Sequence, residues 1–182
     1  MMQHSSPMTA SMPVLSRRGL IRLGFGATAV LTVAGGAAWL WRPGWRAGRL
    51  TESGRTIFRA VARAVLEGSL PSAGPAQESA LDQHLVQLDA TLAGLPRATQ
   101  SEIAQLLGLL ALAPARRWLT GLTADWPQAT VGEIEAALRR MRTGDHALRQ
   151  QAYHALRDLT NAAYYAQPRH WTLMGCPGPT AV

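Results

Sequence analysis

The residues best suited to chemistry in this chain are few and scattered. Cys176 is the single cysteine. A thiol attacks as thiolate, and no basic residue adjoins Cys176 in the sequence to lower its pKa. One cysteine also excludes an internal disulfide and a Cys-x-x-Cys-His haem attachment. A zinc site needs several clustered ligands, which one cysteine and five dispersed histidines do not supply. His84, His146 and His154 fall on helical segments among polar neighbours, and His146 and His154 are not at ligand spacing. His170 adjoins Trp171, where packing of the chain end explains it as well as catalysis does. Glu133 and Glu135 are two apart and diverge on a helix. No Gly-x-Ser-x-Gly occurs. Without a convergent constellation the chain reads as no catalyst by itself. A small exported enzyme is the weakest reading.

The elements that would position these residues read as helices. Thr51 is a candidate N-cap. Ile57, Val61 and Val65 make one stripe after it, flanked by Phe58 and Leu66 and ended by Gly68 and Pro71. Ser72–Ser79 reads as a loop. Leu81, Leu85, Leu88, Leu92 and Leu95 then alternate spacings of four and three, a helical stripe stopped by Gly94 and Pro96. A third helix runs from about Thr99 or Ser101 to Ala113. It is apolar on most sides through Ile103, Leu106, Leu107, Leu109, Leu110 and Leu112, the pattern of a central bundle helix. Pro114 restarts the chain into a short helix with Trp118, Leu119 and Leu122. Thr130 and Glu133 form a capping box, with Ile134, Leu138 and Met141 inward and Gly144 past the end. The last helix spans about Asp145 to Tyr165. No run alternates with period two. The expected fold class is therefore all-α: a single small helical bundle-like domain after an N-terminal signal or anchor helix.

All 18 basic residues are Arg, and the formal charge is +7. The first 41 residues hold three of these arginines and no acid. The others are scattered among acids along helical segments, which argues against nucleic acid.

The leader is informative. Arg17, Arg18 and Arg22 precede an uncharged stretch, Leu23 to Trp41, of 19 residues. That length would span a bilayer, but its Gly, Ala and Thr content makes it less apolar than an ordinary spanning helix. "SRRGLIR" resembles the twin-arginine export consensus of Ser, Arg, Arg, any residue, Phe, Leu, Lys, with Leu20, Ile21 and Arg22 as conservative departures. Residues 1–41 are thus expected to be a twin-arginine signal peptide or an uncleaved anchor. Gly36-Ala37-Ala38 offers small side chains for cleavage, and Trp39, Leu40 and Trp41 directly after it leave an uncleaved leader as the alternative. Gly24, Gly26 and Ala29 fit a dinucleotide-binding fingerprint but lack its strand, helix and acid. Residues 42–49 read as a basic linker, with Trp45 either at a membrane interface or a mere spacer. Residues 50–182 form the helical domain.

The chain ends in a tail holding Tyr164, Tyr165, Pro168, Trp171, Gly175, Pro177, Gly178 and Pro179. Its Pro and Gly content predicts a stiff, non-helical path, and its aromatics need a surface to pack on. In this pattern and in the leader, the sequence resembles the gluconate 2-dehydrogenase subunit 3 family, the small subunits of exported dehydrogenases. Paired Tyr, Pro, Trp and Gly-x-x-Gly-Pro match; Cys176 stands where the family has Tyr. The resemblance implies a non-catalytic accessory subunit of a membrane-associated, periplasm-facing dehydrogenase of sugars, sugar acids or polyols. FAD would sit in a large flavoprotein partner, and c-type haem, where a cytochrome subunit is present, in a third chain. The small subunit binds no cofactor directly. Arg17 and Arg18 would be read by the twin-arginine translocase, and the tail residues from Tyr164 to Pro179 would face the partner. The alternative is a stand-alone periplasmic helical protein, anchored through residues 23–41, that binds a ligand or another protein.

Overall fold

The computed structural model describes residues 43–175. The expected all-α class holds: the regular elements of the described residues are six α-helices, one small hairpin and a closing 3₁₀ turn. No helix among them is long and apolar enough to cross a membrane. The segment Leu23–Trp41 lies outside them, as do Arg17, Arg18, Cys176, Pro177, Gly178 and Pro179.

The stretch expected to be a linker is folded instead. Strands β1 (Trp45–Arg46) and β2 (Arg49–Leu50) pair antiparallel, with Trp45 opposite Leu50 and Arg46 opposite Arg49. Ala47 and Gly48, at φ 51° and 79°, form the left-handed turn that suits a two-residue hairpin loop. Alternation sends both apolar residues to one face. Trp45 and Leu50 are each only 6% exposed, so Trp45 belongs to the core and not to a spacer. Gly44 donates its N–H to the Ala104 carbonyl at 3.0 Å. A Cβ there would overlap the Leu107 side chain, so glycine is what lets the hairpin seat on the helix behind it.

Helix α1 (Glu52–Val65) starts where Thr51 caps it, accepting from the Gly54 N–H at 3.4 Å. It packs against every other long helix and is the centre of the bundle. Centrality was expected of the third helix, whose leucines are more numerous. The small residues of α1 explain the difference. Gly54, Ala60, Ala62 and Ala64 are buried along with Ile57, Phe58 and Val61, so neighbours approach it from several sides.

Helix α2 (Pro75–Ala93) begins within the expected loop, because Pro75 suits a first turn that needs no N–H donor. Its leucine stripe, Leu81, Leu85, Leu88 and Leu92, is fully buried. Helix α3 (Arg97–Ala111) leaves Leu106 and Leu109 half-buried. Helix α4 (Ala113–Thr120) ends at Gly121 in the left-handed region, φ 71°. Helix α5 (Val131–Thr143) carries the expected reciprocal cap: Glu133 N–H donates to Thr130 Oγ1, and Thr130 N–H donates to Glu133 Oε2 at 2.8 Å. Helix α6 (Ala147–Tyr165) packs on α1, α2 and α5. A 3₁₀ turn follows, Pro168–Met174, where a non-helical path was expected. Pro168 needs no donor at its start and so initiates it.

Candidate functional site

The tail pattern, the α2 helix and the α1–α2 connection meet at one end of the domain. They enclose a cleft of about 270 Å³ lined by Ser69, His84, Gln87, Tyr164, Gln167 and His170 among others. Most of the polar side chains there are held by specific local contacts.

The last carbonyls of a helix lack intrahelical partners. The tail supplies them. His170 Nδ1 lies 2.7 Å from the Tyr164 carbonyl, and Trp171 Nε1 donates to the Tyr165 carbonyl at 2.8 Å. Both pairs are six residues apart, so the 3₁₀ turn sets two consecutive rings beneath two consecutive carbonyls. Arg169 Nε donates to His170 Nε2 at 3.1 Å, which assigns the proton of the neutral ring to Nδ1. Gln167 Nε2 donates to Gln87 Oε1 at 2.7 Å and ties the turn to α2.

Tyr164 is the hub. Its ring stacks on His170 at 3.7 Å and 9°, meets Tyr165 edge-on at 5.2 Å, and meets His84 edge-on at 6.1 Å. Its hydroxyl donates to the Ser69 carbonyl at 2.7 Å. Burial, and secondarily Tyr165, raise its pKa, with Arg169 opposing. With Ala62, Leu66 and Leu81 it forms a small core of its own.

Of the residues expected to face a partner, Tyr164 is therefore turned inward, 5% exposed. Tyr165 and Trp171 are half-buried, and Pro168 and Gly175 are exposed. The surface this end offers is the rim: Pro168, the outer edges of Tyr165 and Trp171, and Arg169.

His84 was read as lying among polar neighbours, and the structure corrects this. It is 3% exposed, and neither ring nitrogen has a hydrogen-bond partner among the described residues. Burial, with a smaller contribution from His170, pushes its pKa down to about 4. The signal was present in the spacing. His84 is three residues after Leu81 and four before Leu88, on the leucine stripe itself. His154 is exposed as expected, 3.9 Å from Asp158.

A second, broader groove of about 700 Å³ runs past Pro43, Arg46, Glu52 and Trp126. Its wall contains Arg116, 4% exposed and 2.6 Å from Asp125. Trp126 Nε1 there donates to the Leu110 carbonyl at the end of α3, at 2.9 Å. These contacts fasten the α4–α5 connection. Elsewhere Trp118 is 53% exposed, with the Arg149 guanidinium 5.3 Å from its ring centre.

Among the described residues no group of three or more His, Cys, Asp or Glu could hold a metal ion. The architecture defines a small all-α domain with a folded-back aromatic tail. No family model, no curated protein and no solved structure matches the chain.

Proposed function

We propose that the chain is the accessory subunit of an exported, flavin-dependent dehydrogenase of sugars, sugar acids or polyols. It supplies the twin-arginine address for a flavoprotein that folds with it, and remains with it at the periplasmic face of the membrane. The observation that carries the proposal is the joint occurrence, in one short chain, of the Arg17-Arg18 leader and the Tyr164-Tyr165, Pro168, Trp171, Gly175, Pro177, Gly178, Pro179 tail. The twin-arginine route carries folded cargo, which suits an address shared between two folded chains. The half-buried Tyr165 and Trp171 beside exposed Pro168 give the tail end a rim of the kind that anchors protein contacts. On this reading FAD belongs to the partner, as does any link to a cytochrome subunit.

The test is purification of the full chain from its native membrane. The proposal expects a large companion with flavin absorbance, lost when Trp171 and Pro168 are both replaced by Ala. A colourless protein without a companion would contradict it. The cleft at His84 favours one second reading, a stand-alone helical protein that binds a small ligand. Such a protein would purify alone and be stabilised by that ligand.

A further inference from the structure

We infer that His84 makes closure of the C-terminal tail dependent on pH: neutral, it lets the tail seat over α2, and on taking a proton from solvent it expels the tail.

The argument begins with what surrounds the imidazole. From α6, Tyr164 presents its ring. From the 3₁₀ turn come His170 and Arg169, and from the α1–α2 connection Ser69 and Pro71, which carry no charge. Helix α1 contributes Ala62 and Leu66 to the same cluster. The arginines of α1 that reach α2 are engaged elsewhere, Arg59 with Glu78 and Asp82, and Arg55 with Asp89. On α2 itself, Gln83 and Gln87 share the cleft. Among the described lining residues there is no carboxylate. A proton on His84 would thus create a buried cation with no counter-charge and no hydrogen-bond acceptor among the described residues, facing another basic group.

The cover is the part most easily moved. Among the described residues the turn is held by one side-chain bond to α2, from Gln167 to Gln87, by the stack of His170 on Tyr164, and by the His170 and Trp171 rings on the last carbonyls of α6. The Arg169–His170 bond is internal to the turn. Lifting the turn lets water reach the imidazole while Leu85, Leu88 and Leu92 of α2 stay packed in the main core. Opening therefore costs little more than the tail's own contacts.

The sign follows from the two proton affinities. The ring binds a proton at an ordinary pKa of 6.5 when solvated and only at about 4 when covered. Closure is complete above 6.5, weakens as pH falls, and stops weakening below about 4. At about pH 5 the closed form should lose about 20-fold relative to neutral pH.

The test is amide hydrogen exchange of the full chain, corrected for the intrinsic rate at each pH. The Gln167 and His170 amides, which donate to the Tyr164 and Gln167 carbonyls, report closure. Their protection should fall about 20-fold from neutral to about pH 5 while α3 is unchanged. In His84→Leu, which continues the leucine stripe, protection should be independent of pH. His84→Gln, polar but without a proton to gain, gives the same answer if the leucine variant does not fold. Equal wild-type protection at both pH values, or the same loss in the variants, would overturn the inference.

Discussion

Arg116 and His84 are buried to the same degree, 4% and 3% exposed, yet their surroundings are opposite. Arg116 Nη2 meets Asp125 at 2.6 Å, and Asp125 is itself 64% exposed, so the buried charge is led out to water through its partner. His84 meets an aromatic ring and has no partner for either nitrogen among the described residues. The α4–α5 end is thus fastened by a charge that the fold accommodates. The tail end is fastened on condition that a charge is absent. A permanently ionised side chain demands a counter-ion, whereas an imidazole near neutrality can be buried by giving up its proton. The difference separates a fixed end of the domain from a conditional one.

Three experiments sharpen or break this comparison. The largest effect is expected at His84. Its lowered pKa stabilises the fold above 6.5, and that contribution is lost between 6.5 and about 4. The loss is at most about 3 kcal/mol, the limit for a tail that stays closed, and opening caps it at the free energy of tail closure. Urea unfolding against pH should show it in the wild type and not in His84→Leu; parallel curves would remove the distinction. Next, Asp125→Ala should cost about 2 kcal/mol, less than a fully buried pair because water can replace an exposed carboxylate. This variant should keep the wild-type response to acid between 6.5 and 4, since it touches only the fixed end. The smallest effect is at Tyr164→Phe, about 1 kcal/mol for the bond to the Ser69 carbonyl, with tail closure retained through the stack. A loss of several times that would mean the hydroxyl, and not the stacked ring, is the clasp.

What the sequence made legible was local. The caps at Thr51 and Thr130 with Glu133 are formed by residues within one turn of each other, and both stand where the pattern put them. The leucine stripe of α2 gave its buried face correctly. The hairpin was not legible, because strands of two residues have no period to detect, and Trp45 next to arginines resembles an interfacial segment. The central role of α1 escaped because alanine and glycine mark close approach only when the neighbours are known. At the candidate site, Tyr164, Tyr165, Pro168 and Trp171 stood out as a pattern, and His84 lay hidden on a stripe of leucines. The closure itself rests on pairs six residues apart, His170 under Tyr164 and Trp171 under Tyr165. That spacing belongs to neither helix nor strand. Residues read as facing outward to a partner are in part spent on finishing helix α6, so any partner must read the rim that this leaves.

The proposed function is tested most directly by following the companion. Cells carrying Arg17→Lys together with Arg18→Lys would be fractionated, and flavin-dependent dehydrogenase activity measured on each side of the membrane. The account predicts that both this chain and an active flavoprotein with no leader of its own are retained in the cytoplasm. Unchanged periplasmic activity in the double variant would contradict it.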